Sequence, residues 1–273
     1  MSIRNLIEPL TCLNKKKRRV LTQVMQARLI ECIIAASPVL RRFRTLTPEG
    51  WKKAGIDAGA RAGVELATAF PQDGTDLIAA MRVMTEITPD VLSAIGTHVA
   101  RDVEELVLQG RRGPTKTMKN LGDVLLGAMD GLGQLASARL YMHGGRLSID
   151  LVETLRKLLP PQYQERNDLV LITSRGSAHD LTSELGRYLY APTAGPLAPT
   201  TVFGVELIKA KAATADLLGI VLCPDDVLLC FGDEIEIGGD LDGDVLEVGM
   251  EIALGLAGPA AAALEDTRWQ TRK

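Results

Sequence analysis

The chain has 273 residues, 46% hydrophobic, 24% charged and only 4% aromatic, which supports a large aliphatic core and two lobes. No run approaches the roughly 18 consecutive apolar residues of a membrane span, and residues 1–13 carry Arg4, Glu8 and Pro9 in place of a signal-peptide pattern. The net charge of −3 conceals an asymmetry: residues 1–61 hold thirteen Lys/Arg against four Asp/Glu, and residues 212–267 hold thirteen Asp/Glu with no Lys or Arg.

Three sources account for such asymmetry. They are a basic arm that binds nucleic acid, an arm that lies on an acidic patch of a neighbouring copy, and two independently solvated faces. The cysteines Cys12, Cys32, Cys223 and Cys230 show no CxxC spacing. Three sit among apolar residues, which reads as buried free thiols in a reducing compartment and not as a disulfide scaffold or zinc site.

Taken in chain order, Lys15-Lys16-Lys17-Arg18-Arg19 opens a helical segment. Its apolar stripe is Val20, Val24, Ala27 and Ile34 with Leu21, Met25, Leu29, Cys32 and Ile33, and Ser37-Pro38 stops it. A basic stretch with Arg41, Arg42 and Arg44 follows. Residues 45–86 are Gly- and Ala-rich with weak periodicity and read as extended excursions or short strands. Thr88-Pro89-Asp90 is a helix start, with Thr as cap, Pro at the first helical position and Asp at the positive end of the dipole. Val91, Ile95, Val99, Val103 and Leu106 fall at helical spacing, and Gly110 ends the run. Residues 111–146 are mixed, with a short helix near 121–129.

Ser148 caps the next helix, and Leu147 staples against Val152. Leu151, Val152, Leu155, Leu158 and Leu159 form its buried face, and Pro160-Pro161 ends it. Residues 168–173 have strand length and strand composition. Ser177-Ala178-His179-Asp180 resembles a capping box, with a helix running to about Tyr190. Three prolines and a glycine keep 191–199 irregular. A second strand spans 200–209, interrupted by Gly204. From Leu246 to Leu256 every even position is apolar, the pattern of a half-buried strand. Residues 234–237 pair with it, Ile235 and Ile237 pointing inward, through an acidic turn at 238–244.

No catalytic constellation emerges. His98, His143 and His179 each lack a second ligand at metal spacing, and no GxSxG, GxxxxGK[ST] or strand-preceded GxGxxG occurs. Asp240-Leu241-Asp242-Gly243-Asp244 lacks the ligand set of an EF-hand and reads as a tight turn. The run 15–19 suits phosphates, sequence-independently and with salt dependence, but no interleaved aromatics offer base stacking. No cofactor, metal ligand or catalytic residue is assigned.

Several segments in order carry a family resemblance. Met84-Thr85-Glu86-Ile87-Thr88-Pro89-Asp90-Val91-Leu92 is followed by Ala100-Arg101-Asp102-Val103-Glu104-Glu105-Leu106-Val107-Leu108-Gln109-Gly110. Then come Leu155 to Tyr163, ending in an LPxxY-like phrase, the strand Asp168 to Ser174, Val202-Phe203-Gly204-Val205-Glu206-Leu207-Ile208, and Leu228 to Ile237. In this order and spacing, residues 87–268 resemble the HK97-like major capsid proteins of tailed bacteriophages. The departure from the family phrase is at Cys230 and Phe231.

The resemblance implies an α+β fold. Its parts are an N-terminal arm (1–43), an extended loop (44–86), a peripheral domain with a long spine helix (87–146), an axial domain (147–230) and a return to the peripheral domain (231–273). It implies a structural, non-enzymatic protein that self-assembles as pentamers and hexamers into an icosahedral shell around double-stranded DNA, bound non-specifically. Portal, scaffold or decoration proteins are further implied partners, with no membrane. The implied location is the virion capsid, and the host cytoplasm during assembly. Lys15, Lys16, Lys17, Arg18, Arg19, Arg41, Arg42 and Arg44 are the expected inter-subunit or DNA contacts. Some family members weld subunits through a Lys–Asn isopeptide bond. Here Lys52 and Lys53 are present but no Asn follows Asn167, so a non-covalent shell is expected. The alternatives are an encapsulin-like nanocompartment, a soluble α/β enzyme or ligand-binding domain, and a DNA-binding protein using the basic arm.

Overall fold

The alternation at 246–256 is the frame on which the first half of the molecule is built. The computed structural model describes residues 19–56, 58–69, 89–112, 127–188, 201–212, 217–240 and 245–267. In chain order the elements are β1 (Arg19–Val20), α1 (Gln23–Ala36), a 3-10 turn (Leu40–Arg42), β2 (Arg44–Leu46), α2 (Pro48–Lys53), β3 (Ala58–Ala69) and α3 (Pro89–Gln109). Then follow α4 (Leu132–Leu135), β4 (Ala138–Met142), α5 (Ile149–Leu158), α6 (Pro161–Gln164), β5 (Val170–Thr173), α7 (Arg175–Tyr188), β6 (Thr201–Val202) and β7 (Val205–Lys209). The chain closes with β8 (Leu217–Leu222), β9 (Val227–Asp240), β10 (Val245–Leu256) and β11 (Ala261–Asp266).

The first sheet has the order β1-β9-β10-β3, with β2 parallel to the start of β9. Strand β10 lies between β9 and β3, antiparallel to both. Val248, Met250, Ile252, Leu254 and Leu256 are buried on its inner face, as period two requires. Ile235 and Ile237 point inward as expected, and the pairing runs back to Val227. The long helix α3 buries Val91, Ile95, Val99, Val103 and Leu106, and α1 packs against α3. Gly96 permits that approach: a Cβ there would meet the Cys32 Cβ at 2.6 Å.

The second sheet has the order β4-β11-β8-β5-β7-β6. Both of its faces are covered. Val170, Ile172, Ile220, Leu222, Ala261 and Ala263 join the core that continues to α3 and the first sheet. The alternate residues, including Leu171, Val221, Ala262 and Leu264, face a second core under α5. Strands buried on both sides read as continuous apolar runs, and this explains the short 168–173 signal.

Several sequence expectations change. The helix expected from residue 15 starts at Gln23, where the Thr22 hydroxyl accepts from the Met25 N–H at 3.4 Å. Arg19 and Val20 are strand, paired with Ile237 and Glu236. Val24, expected in the apolar stripe, is 81% exposed. Gln26 is buried instead, its amide donating to the Leu21 carbonyl at 2.9 Å. Leu158, expected on a buried face, is 40% exposed. The helix expected to start at Ser177 begins at Arg175, because Ser174 is the capping hydroxyl and accepts from the Ser177 N–H at 3.1 Å.

Within 45–86, the weak periodicity concealed a helix capped by Thr47 and the twelve-residue strand β3. Of the turn expected at 238–244, residues 238–240 are strand instead, paired with Glu247, Leu246 and Val245 on β10, and 241–244 lie outside the described residues, as does most of the short helix expected near 121–129. Sheet membership also cuts across the expected segments: β4 and β11 belong to the second sheet, and β9 enters the first sheet already at Val227.

Candidate assembly surface

Among the described residues, the expected basic contact Arg19 lies apart from Arg41, Arg42 and Arg44. Lys15, Lys16, Lys17 and Arg18 lie outside the described residues. Arg19 is held opposite Ile237, a pairing that the Leu21 N–H extends by donating to the Ile235 carbonyl at 2.9 Å. Arg44 lies opposite Leu228, near the other end of β9. At about 3.3 Å per residue the two are some 30 Å apart along that strand.

Arg41 and Arg42 leave the molecule on a 3-10 turn capped by Ser37, whose hydroxyl accepts from the Val39 and Leu40 N–H groups at 3.2 and 3.0 Å. Arg42 reaches across to Glu206 on β7 and forms an ion pair there, which ties the 3-10 turn to the second sheet. Arg41 and Arg44 are exposed and make no ion pair with a described residue.

Part of the acidic block of the sequence lies on β9 and β10. Asp233 and Glu234 are exposed; Glu236, Glu247 and Glu251 are half-buried. The register sets Gly249 between Glu236 on β9 and Glu65 on β3. Arg61 answers this charge by donating from both Nε and Nη2 to the Glu251 carboxylate, the second contact at 2.7 Å. The register shifts here, from Met250 opposite Ile235 to Ile252 opposite Phe231. Gly232 sits in the resulting bulge, where a Cβ would meet the Glu251 Cβ at 2.7 Å.

The buried carboxylates serve the fold. Glu104, on α3, is fully buried and accepts from the Ser37 hydroxyl and from the Lys211 and Ala212 N–H groups. Glu265 accepts from Arg111 at 3.2 Å and from Gln134 at 3.3 Å. Asp266 accepts from the Gly144 N–H at 3.1 Å. These donors satisfy the buried carboxylates in place. None of the three stood out in the sequence. For Glu104 the available signal was a charged residue inside an otherwise apolar helical stripe.

The thiols are equally quiet. Cys223 is fully buried, and burial pushes its pKa up to about 11; burial also raises Cys230. Both are thus protonated and poor nucleophiles near neutral pH. Cys32, Cys223 and Cys230 are free. His143 lies 3.3 Å from the Thr267 hydroxyl, which itself donates to the Met142 carbonyl. Among the described residues, no group of three His, Cys, Asp or Glu is placed to hold a metal, and no helix is long and apolar enough to cross a membrane.

No protein-family model and no curated protein matches the sequence. Solved structures do. A chain of the satellite phage P4 procapsid, in a structure including the size determination (Sid) protein, matches with a TM-score of 0.57 at 12% identity. The match covers 96% of this chain and 96% of that one. The capsid of an empty GTA particle matches at 0.45 and 12% identity, over 85% and 90% of the two chains. A structure from Gordonia phage Cozz matches at 0.40 and 15% identity, over 76% and 70%. At such identities the likeness is one of fold, and the P4 procapsid chain carries it nearly end to end. The fold is α+β and of the HK97-like capsid type.

Proposed function

We propose that this chain is a major capsid protein of the tailed-phage type, which self-assembles into an icosahedral shell enclosing double-stranded DNA. One observation carries the reading: likeness in fold to a chain of a phage procapsid over 96% of both chains. The interior supports it. Its buried carboxylates and thiols are occupied in packing and hydrogen bonding, as suits a structural role.

In this reading residues 87–146, with α3, and 231–273 are the peripheral domain, and 147–230, with α5, α6 and α7, are the axial domain. Residues 1–43 are the arm, and the extended loop falls within 44–86. Arg41 and Arg44 are the described cations that meet a neighbour's acidic β9–β10 surface or packaged DNA. Lys15 to Arg19 act likewise from the arm, and Arg42 is committed to Glu206. Portal, scaffold or decoration proteins complete the particle, which assembles in the host cytoplasm.

Negative-stain microscopy of the purified protein tests the class. Closed shells are expected, and uniform monomers at all concentrations overturn the reading. Nuclease-protected nucleic acid inside the particles separates a DNA shell from a protein-storing compartment.

A further inference from the structure

Strands β6 and β7 are joined through Phe203 and Gly204 alone, with Val202 opposite Val205 and Thr201 opposite Glu206. Both turn residues have positive φ, 50° at Phe203 and 76° at Gly204. Two-residue hairpins of type I′ require this, and Asn, Asp or Gly meet the requirement at the first position with little strain. A phenylalanine does not. Its Cβ crowds the following carbonyl, and a bulky residue in this region is a true outlier. Among the described residues, Phe203 is the one non-glycine with positive φ.

Val202 and Val205 are each 1% exposed, yet Phe203 between them is 48% exposed. The tip is also held in place. Arg156, near the end of α5, donates from Nη1 to the Phe203 carbonyl and from Nε to the Gln164 carbonyl, both at 2.8 Å. Leu158, two residues further along the same helix, is another exposed large apolar residue.

A strained, clamped residue that presents an aromatic ring to solvent has the profile of an interface anchor. We infer that Phe203 is an assembly anchor whose ring is buried by a second copy of this chain when the shell forms. The inference rests on the shell reading, in which the lateral neighbours of each chain are further copies of it. A polyanionic partner fits less well, because base stacking works alongside free cations. Here Arg156 is spent on carbonyls, Lys157 pairs with Glu153 at 2.6 Å, and Arg42 pairs with Glu206.

The test compares the full-length wild type with Phe203→Asn and Phe203→Tyr. Sedimentation velocity gives the critical concentration for particle formation, and thermal unfolding gives the stability of unassembled subunits. Asn suits the left-handed turn, so Phe203→Asn subunits should melt at or above the wild-type temperature while the critical concentration rises tenfold or more. Phe203→Tyr should assemble within twofold of wild type. Wild-type assembly by Phe203→Asn overturns the anchor and leaves the shell reading intact. A lowered melting temperature for Phe203→Asn overturns the strain argument on which the anchor stands. Failure of the wild type itself to form particles removes the shell reading and the anchor together.

Discussion

Ser37 donates its hydroxyl to the Glu104 carboxylate, and this bond ties the end of α1 to the long helix α3. The same carboxylate accepts from the backbone of Lys211 and Ala212 just beyond β7, and the Lys211 ammonium reaches the Ala36 carbonyl at 2.6 Å. One buried side chain therefore joins the N-terminal helix, the long helix and the second sheet. Replacing Glu104 with Ala strands three donors, two of them buried, and a loss of about 3 kcal/mol is expected. Glu104→Gln keeps one carbonyl oxygen for the two N–H groups and should lose less. Denaturant unfolding of unassembled subunits measures both; equal stability of Glu104→Ala and wild type refutes the linkage.

Contact between α1 and α3 is set by a missing atom. Alanine at Gly96 would place its Cβ 2.6 Å from the Cys32 Cβ. Gly96→Ala gains about 1 kcal/mol of helix propensity, yet overpacking at a helix crossing typically costs about 1–3 kcal/mol. Net destabilisation is expected. Cys32→Gly removes the opposing atom, so the double variant should be more stable than the sum of the two single changes allows. Simple additivity in that cycle would mean the helices separate freely.

Burial raises the pKa of Asp102 and of Glu105 on α3, opposed by Arg101 in both cases and by His98 at Asp102. For a carboxyl raised in the folded state, the associated stability is present in acid and lost as pH rises through the folded value. The ionised forms are therefore mildly unfavourable at pH 7. Asp102→Asn should raise the melting temperature of unassembled subunits at pH 7, and the gain should fade below about pH 3, where aspartate is protonated in both states. A gain that is the same at both pH values contradicts desolvation as the cause.

At the bulge in β9, Gly232→Ala sets a Cβ 2.7 Å from the Glu251 Cβ and should lower stability by about 1–3 kcal/mol. The Arg61–Glu251 pair beside it is half-exposed. A double-mutant cycle with Arg61→Met and Glu251→Gln should give a coupling of only about 0.5–1 kcal/mol, smaller in high salt. A salt-independent coupling would point to packing in place of charge.

Much of the architecture was legible in local patterns. Pro89-Asp90 opens α3 and Gly110 follows its last residue, as Pro and Asp suit a helix start and Gly a helix end, and β10 is marked by period two with one face buried. Where local signals were weak, the reading failed for identifiable reasons. Strand β3 carries Ala60, Ala62, Val64 and Leu66 in alternation, but small residues make a faint pattern, and its order comes from twelve residues of pairing with β10. Strands β8 and β11 are buried on both faces, so no alternation remained to mark them. Ser174 outcompeted Ser177 as a cap because both hydroxyls stand near the same helix end.

By itself the sequence determined the periodic elements, their order, the separation of charge between its two ends and the lack of a catalytic motif. These depend on residues close together in the chain. Only the tertiary structure decided which elements share a sheet, that Arg42 is already paired with Glu206, that Glu104 is a buried junction and that Phe203 stands strained in solvent. Each of those joins residues distant in sequence or fixes a backbone angle, and such relationships exist only after long-range pairing has set the geometry.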